Sequence, residues 1–284
     1  MKLITFDAGD GAHVGLVTDA GVVDLTQHAG VTSLRGLIAD GKVADMAAHA
    51  NAAADHELAD FPFLPVLPDP EHIWCVGVNY MDHLQEAIDA GLPRSKSEFP
   101  MIFGRYADTM VGHKQNLMKA PIVHKLDYEC ELAVIIGKGG RYIAKEDALS
   151  HIAGYSCFNE GSARDWQYHT AQVVPGKNFA KTGGFGPWMV TADEIPDPQV
   201  LDISTVLNGQ TMQSANTKDM IFDVATVISY VSNISELQPG DVIASGTPSG
   251  VGQSREPQVF MQPGDTCEIH IENVGVLVNE IAEG

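Results

Sequence analysis

The sequence has few positive charges for its length. Lysine and arginine together number 17 against 37 aspartates and glutamates, which gives a net charge of −20 over 284 residues. Nucleic acids and anionic membranes are polyanions, so a protein that binds them normally presents basic surface. The acidic balance therefore argues against both as partners.

Cysteine and long hydrophobic runs are scarce as well. The four cysteines are widely separated and no CxxC pair occurs, so we expect buried, reduced thiols of the kind found in cytoplasmic proteins. The first residues, Met1–Phe6, lead directly into a strand-like pattern without the apolar stretch of a signal peptide. No window approaches the length of a transmembrane helix, and we expect a cytoplasmic protein that does not enter a membrane.

Glycine and proline, by contrast, are frequent, with 28 and 15 copies. The many turns that they imply favour a strand-rich fold over a helical bundle. We predict an α+β, strand-rich fold in two parts. Residues 1–70 are predicted to form a small N-terminal α/β subdomain that ends in the proline-punctuated linker Phe61–Pro70, and residues 71–284 are predicted to form the main, catalytic domain.

Hydrophobic periodicity and Gly/Pro breaks place the individual elements. Strands are predicted at Lys2–Phe6, His13–Thr18, Val22–Asp24, Ile73–Val78, Tyr128–Gly137, Tyr155–Phe158, Pro187–Thr191, Ile203–Leu207, Asp241–Ser245 and Thr266–Ile271. Helices are predicted at Ser33–Ala39, Val43–Ala54, Tyr80–Ala90 and Met220–Ser232. The polar, irregular segment Gly91–Glu98 is a candidate mobile lid.

A pair of glutamates at the start of an apolar strand is the most informative local feature. Glu129 and Glu131 are one residue apart, and side chains alternate along a strand, so both point to the same face. Two carboxylates at the edge of a core repel each other unless one is protonated or a cation lies between them. A cluster of oxygens suits a hard ion such as Mg²⁺, Mn²⁺ or Ca²⁺. The alternative is that both side chains face water on an edge strand.

A histidine and a glutamate share one face of a predicted helix. His83 and Glu86 are three residues apart, which brings their side chains within reach of each other. The carboxylate can orient the imidazole and make it a base near neutral pH. The alternative for this short pattern is a solvated helix face.

Three further segments contain polar or glycine-rich clusters. Asn159–Gln167 combines two acids, an arginine and two amides without hydrophobic periodicity, which is typical of a site rim or of a capped helix start. Pro175–Trp188 is glycine-rich around Lys177 but lacks P-loop spacing. Ser245–Gly252 offers backbone amides and a hydroxyl that could bind a carboxylate, or simply forms tight turns. It lacks the third glycine of a dinucleotide-binding fingerprint, so we reject a Rossmann fold.

Taken together, these segments resemble the fumarylacetoacetate hydrolase superfamily. The matching segments, in family order, are Val76–Tyr80 with His83 and Glu86, Asp127–Ala133, Asn159–Asp165, Gly176–Lys177 and Gly246–Gly252. The resemblance covers about residues 70 to 284. It implies a mixed β-sandwich roll, usually dimeric, preceded by the small N-terminal unit that many longer members carry.

The resemblance also implies a metal site and assigns roles to the residues around it. The metal is Mg²⁺ or Mn²⁺, with Ca²⁺ as another occupant, and its ligands are Glu129, Glu131 and Glu160. The catalytic residues are His83, Glu86 and Lys177, and the residues that bind the substrate carboxylate are Arg164, Gln167 and Thr247. One position departs from the family: the third ligand is normally aspartate, whereas here Glu160 is followed by Gly161, which would give the backbone room to retract.

Members of this superfamily act on 2-oxo acids and 1,3-dicarbonyl compounds. We therefore expect a divalent-metal-dependent hydrolase that cleaves a C–C bond in a small anionic 2,4-dioxo acid, an acylpyruvate-like or fumarylpyruvate-like intermediate of aromatic catabolism. The same site would also serve an oxaloacetate-type decarboxylase or a 2-hydroxy-dienoate isomerase or hydratase. An alternative of another class is a non-catalytic metal-binding or ligand-binding protein on this fold.

Overall fold

The computed structural model describes residues 1–58, 63–89, 91 and 95–284. Several sequence predictions fall partly outside the described residues. They concern Phe61 and Pro62 of the predicted linker, Ala90 at the predicted helix end, and Leu92, Pro93 and Arg94 of the predicted lid.

Strands account for most of the regular structure, and we number them in chain order. They are β1 (Lys2–Asp7), β2 (Ala12–Thr18), β3 (Gly21–Asp24), β4 (Ile73–Gly77), β5 (Met101–Arg105), β6 (Met110–Val111), β7 (Leu117–Lys119), β8 (Leu126–Asp127), β9 (Cys130–Ile136), β10 (Ile152–Asn159), β11 (Ser162–Ala163), β12 (Gly183–Thr191), β13 (Asp202–Leu207), β14 (Gln210–Asn216), β15 (Val242–Ala244), β16 (Thr266–Ile271) and β17 (Gly275–Glu283). The predicted strand-rich α+β class is confirmed.

The helices are short. They are α1 (Leu25–Ala29), α2 (Leu34–Ala39), α3 (Met81–Asp89), α4 (Arg164–Gln167), α5 (Val174–Lys177) and α6 (Val224–Ile234). Turns of 3-10 helix occur at Val43–His49, Ala107–Thr109, Lys145–His151, Ala192–Glu194, Thr217–Asp219 and Gly252–Ser254. Within the described ranges, none of the helices is long and apolar enough to cross a membrane.

Two sheets dominate the described part of the chain. The larger has ten strands, with β6 beside β12 and the others in the order β3-β2-β1-β12-β10-β9-β15-β4-β5. The smaller has five strands in the order β14-β13-β16-β17-β7. Because β1 pairs with β12, the leading strands extend the main sheet. The division into residues 1–70 and 71–284 stays a prediction.

The strand β9 lies between two hydrophobic cores. Leu132 and Val134 join the core between the two sheets, which also contains Leu277 of β17. Ala133 and Ile135 face the opposite side, where the main sheet packs against α2. Successive side chains of β9 therefore point to opposite faces of the sheet, as the sequence predicts. Both faces are buried, and neither is exposed to solvent.

Two predicted helices differ from the structure. The predicted helix at Val43–Ala54 is wrong: the chain forms only a 3-10 segment to His49, with no side-chain cap at Lys42. The predicted helix at Met220–Ser232 begins later, because the Asp223 side chain caps it by accepting from the Thr226 amide. The residues before that cap are held instead by Asn79, whose backbone and side chain bind the amides of residues 221 and 222.

Candidate active site

Three glutamates meet at one end of the central strand pair β9–β10 of the main sheet. Glu129 precedes β9, Glu131 lies within it, and Glu160 follows β10, which pairs with β9 in antiparallel register. The Glu160 amide donates to the Glu129 carbonyl at 2.9 Å. One carboxylate oxygen from each residue lies within 4.8 Å of the other two, and all three residues are buried. The strand pairing therefore assembles the cluster from residues that are about 30 positions apart.

Burial and proximity change the protonation of these acids. Burial, together with the charges of Glu160 and Glu129, raises the pKa of Glu131 well above its usual range. Burial also raises the pKa of Glu160, although Lys177 opposes the rise. Burial alone would raise the pKa of Glu129, but the charges of Lys177 and Arg164 outweigh it and lower the pKa. A further cation in the cluster would stabilise the ionised form of all three acids.

Lys177 closes one side of the cluster from the end of α5. Its Nζ donates to Glu129 Oε2 at 2.6 Å and to Glu160 Oε2 at 3.0 Å. Burial by itself lowers the pKa of this lysine, yet the two carboxylates outweigh burial and raise it. An ammonium group carries three protons. The described residues offer no oxygen or nitrogen acceptor for the third, and Nζ lies 5.4 Å from the centroid of the Phe103 ring. Lys177 therefore has one proton for a ligand in the pocket.

Glu160 provides a test of whether a metal fits this cluster. Its Oε1 is buried and has no hydrogen-bond partner in the described part of the chain, and Arg105 Nη1 is 3.9 Å away. Leaving a buried carboxylate oxygen unpaired is costly. Carboxylate oxygens are also the ligands that hard divalent cations prefer. The three carboxylates thus fit a divalent cation, and Glu160 Oε1 is an oxygen that such an ion would satisfy.

The residue after Glu160 packs its backbone closely against a neighbouring segment. A Cβ at Gly161 would lie 1.8 Å from the Thr182 carbonyl oxygen, so only glycine permits this approach. Arg105 fixes the contact, because its Nη1 donates to the Gly161 carbonyl at 3.0 Å and its Nη2 to Thr182 Oγ1 at 3.1 Å. The backbone that carries Glu160 is therefore held against the neighbouring chain.

Arg164 is bound mainly by the protein's own acids. Its Nε donates to Asp127 Oδ2 at 2.8 Å, its Nη1 donates to Gln167 Oε1 at 2.9 Å, and its Nη2 lies 2.7 Å from Glu129 Oε1 as an ion pair. The guanidinium thus positions Glu129 and the Gln167 side chain. The assignment of Arg164 and Gln167 to a substrate carboxylate stays a prediction.

His83 and Glu86 form the contact that their spacing predicts. Both lie on α3, and His83 Nδ1 is 3.0 Å from Glu86 Oε2. The other oxygen, Glu86 Oε1, accepts from the Gly250 amide at 2.9 Å. In the neutral imidazole, an Nδ1–H that donates a hydrogen bond to this carboxylate leaves Nε2 without a proton and able to act as a base.

The glycine-rich loop Ser245–Gly252 binds carboxylates that belong to the protein itself. Its amides donate from Gly246 to Glu131 Oε2, from Gly250 to Glu86 Oε1 and from Gly252 to Asp127 Oδ1, at 2.8, 2.9 and 2.8 Å. Gly246 has a φ of 95°, and a Cβ there would lie 2.6 Å from Asn79 Cβ. The loop therefore orients one acid of the cluster and one of the histidine pair.

These groups surround one pocket. Eight of the nine site residues predicted from the sequence line it, namely His83, Glu129, Glu131, Glu160, Arg164, Gln167, Lys177 and Thr247. Glu86 stands behind His83 and lines the adjoining surface groove. The pocket encloses about 50 Å³ of free space, and an ordered water needs on the order of 10–15 Å³ by the same measure. This space therefore has room for more than one water-sized group.

Three buried polar residues of the site were not anticipated from the sequence. They are Arg105, Asp127 and Gln213, all at most 3% exposed. Asp127 could have been identified from its spacing, because residues two apart in an extended chain point to the same face and Asp127 is two before Glu129. The other two come from β5 and β14, which are distant in the sequence, and no local pattern marks them.

Comparison with known proteins gives a consistent result. The model of the fumarylacetoacetate hydrolase family, C-terminal domain, matches residues 72–282. A bovine protein named oxaloacetate tautomerase FAHD2A, mitochondrial, is 37% identical over 292 aligned residues, which cover 99% of this chain and 91% of the relative.

Solved structures agree with this match. A fumarylacetoacetate hydrolase of Exiguobacterium antarcticum has a TM-score of 0.83 and 34% identity, and the match covers 100% of both chains. A maleylpyruvate hydrolase of Sphingobium sp. SYK-6, in complex with manganese(II) and pyruvate, has a TM-score of 0.83 and 28% identity, again over 100% of both chains. The match to the family model and the identity to the bovine relative establish that this chain belongs to the fumarylacetoacetate hydrolase family.

Proposed function

We propose that this protein is a divalent-metal-dependent enzyme that interconverts the keto and enol forms of a small 2-oxo dicarboxylate of the oxaloacetate type. One observation carries the proposal: a cluster of three buried carboxylates and an acid/base pair face the same compact pocket. The bovine relative, which matches nearly the whole chain, is named for this reaction.

The metal ligands in this proposal are Glu129, Glu131 and Glu160. A divalent cation held there would draw electron density from the oxygens of the 2-oxo acid and make the neighbouring carbon more acidic. The unpaired Glu160 Oε1 supports this role. Lys177 supplies a second positive charge beside the same oxygens, where charge develops as the enol forms.

His83 acts as the proton carrier. Its Nε2 removes a proton from the carbon next to the keto group, and the electron pair of that C–H bond forms the C=C bond of the enol. The proton is then delivered to the former keto oxygen, so the substrate keeps its composition. Glu86 stabilises the imidazolium that exists between the two transfers, and the Gly250 amide fixes Glu86 in place.

Product analysis in D₂O tests this assignment. A tautomerase exchanges the protons next to the keto group of oxaloacetate for deuterium without breaking the carbon chain. Two controls are needed. Protein with EDTA and no metal tests whether exchange depends on the metal, and buffer with metal alone measures the exchange that occurs without the protein. The proposal fails if the metal-loaded protein exchanges no faster than buffer with metal alone.

Hydrolysis of a C–C bond in a 2,4-dioxo acid is the second candidate. The same His83–Glu86 pair can deprotonate a water for attack on a distal carbonyl, and a solved neighbour is named maleylpyruvate hydrolase. We rank this reaction second because the two solved hydrolases compared above are 34% and 28% identical, whereas the bovine relative is 37% identical over 99% of this chain. Release of two fragments from an acylpyruvate would favour it, whereas CO₂ would indicate a decarboxylase.

A further inference from the structure

Gln213 links the smaller sheet to two parts of the pocket wall. These are the strand β9, through Cys130, and the glycine-rich loop, through Thr247. Gln213 lies on β14 with 1% of its surface exposed. Its Oε1 accepts from the Cys130 amide at 2.9 Å and from Thr205 Oγ1 at 2.7 Å. Its Nε2 donates to Thr247 Oγ1 and to the Pro248 carbonyl, each at 2.8 Å. Both amide protons and both oxygen lone pairs are therefore used.

The chemistry of the partners fixes the orientation of this amide. The Cys130 backbone N–H can only donate, and the Pro248 carbonyl can only accept. Exchanging the oxygen and nitrogen of Gln213 would place donor against donor and acceptor against acceptor. The nitrogen must therefore point towards Thr247.

This orientation determines what the Thr247 hydroxyl can do. Its oxygen already accepts a hydrogen bond from Gln213, and its own proton meets no acceptor among the residues that the structure describes. Thr247 is 3% exposed and lines the pocket together with Glu131 and Lys177. The hydroxyl proton is therefore available to a group inside the pocket. A carboxylate or keto oxygen only accepts hydrogen bonds, so a hydroxyl held as a donor matches it.

We propose that Gln213 is a positioning residue that holds the Thr247 hydroxyl as a hydrogen-bond donor to a carboxylate oxygen of the bound 2-oxo acid. The proposal rests on the proposed function, since it requires a ligand of this class in the pocket. A threonine without this partner would be free to rotate its hydroxyl and to lose the donor direction. Gln213 acts through Thr247, so removing either residue should remove the same interaction.

A double-mutant cycle measures that dependence. The probe is oxalate, a compact mimic of a 2-oxo acid, titrated calorimetrically into Mg²⁺-loaded protein. Gln213→Met and Thr247→Val should each weaken oxalate binding about tenfold or more, as expected for a hydrogen bond to a charged group. The double variant should be no weaker than the weaker single variant, because the two changes remove one interaction. Thr247→Ser keeps the hydroxyl and should keep the affinity.

Two controls separate this effect from others. Mn²⁺ affinity is measured on each variant without oxalate, because Gln213 also binds the amide between Glu129 and Glu131. Gln199→Met removes three hydrogen bonds of another glutamine side chain outside the pocket, to the Thr217 carbonyl, the Met220 sulfur and the Val224 amide. Its oxalate affinity should match that of the wild type.

The outcomes are distinguishable. Losses that add in the double variant, or a Gln213→Met protein that folds and binds oxalate as tightly as the wild type, would overturn this inference and leave the proposed function intact. A wild-type protein that binds neither oxalate nor pyruvate with Mg²⁺ would overturn both. If Gln213→Met does not fold, neutron diffraction of the wild-type oxalate complex decides: the Thr247 proton must point to oxalate, and any other direction refutes the role of Gln213.

Discussion

Replacing Gly161 by alanine should disturb both the fold and the metal site. The added Cβ would lie 1.8 Å from the Thr182 carbonyl oxygen, whereas real Cβ atoms essentially never approach closer than 3.0 Å. The two chain segments must therefore separate by more than an ångström. Overpacking of this kind typically costs about 1–3 kcal/mol. We expect the upper half of that range, because a backbone carbonyl cannot rotate away and Arg105 binds both segments.

The separation would also move Glu160, which directly precedes Gly161. We expect the Mn²⁺ affinity of Gly161→Ala to fall at least about tenfold, which corresponds to about 1.4 kcal/mol. Urea unfolding gives the stability and Mn²⁺ titration gives the affinity. Gly104→Ala is the matched control, because a Cβ at this strand glycine meets only the Ile73 carbonyl, at 3.8 Å. A Gly161→Ala protein within about 0.5 kcal/mol of the wild type, with unchanged Mn²⁺ affinity, would refute the reasoning.

Three further substitutions test separate parts of the account. Glu131→Gln should weaken Mn²⁺ binding, which calorimetry measures, without lowering the stability of the metal-free protein, which urea unfolding measures. The reason is that burial and two neighbouring acids disfavour the ionised form of the carboxylate that it removes. His83→Ala should lower kcat about 10²–10⁴-fold and leave Mn²⁺ affinity unchanged, as measured in the tautomerase assay. Burial lowers the pKa of His113 from its ordinary 6.5 to about 4, so the unfolded chain gains a proton between these values that the folded protein does not. The contribution of His113 to stability is therefore full above pH 6.5 and is lost towards pH 4. The stability advantage of the wild type over His113→Asn should shrink by about 2 kcal/mol in unfolding experiments across this range, after allowance for partial exposure.

Each of these expectations has a contradicting result. Metal binding to Glu131→Gln with wild-type affinity would remove that residue from the ligand set. A kcat for His83→Ala close to that of the wild type would assign the proton transfer to another group. A stability difference between wild type and His113→Asn that is constant with pH would show that His113 does not titrate on unfolding.

The sequence predicted best those site residues that lie two or three positions apart on the same strand or helix. Strand alternation places Glu129 and Glu131 together, and helix spacing does the same for His83 and Glu86. These relationships span two or three residues, so they do not depend on which strands pair. The alternative of a solvated edge strand is wrong, because all three residues of the glutamate cluster are buried.

The features that were missed depend on contacts between distant segments. Gln213 reaches Cys130 across 83 positions, and Arg105 reaches Gly161 across 56. The amides of the Ser245–Gly252 loop were expected to bind a ligand or to form tight turns, yet three of them bind acids of the protein. The pairing of distant strands decides such contacts, and no local sequence pattern specifies it.

Two predictions concern the protein beyond its fold and site. The homodimer and the cytoplasmic location both stay predictions, and the bovine relative is named as mitochondrial. Sedimentation of the purified protein measures the first directly.

The decay of enol-oxaloacetate, followed by its ultraviolet absorbance, reports directly on whether this site acts on an enol. We expect Mn²⁺-loaded protein to accelerate the decay with a turnover of about 1–10³ s⁻¹, EDTA to abolish this activity, and added Mn²⁺ to restore it. Decay at the rate of buffer with Mn²⁺ alone, from folded protein that binds the metal, would contradict the claim that this site acts on the enol of a 2-oxo acid.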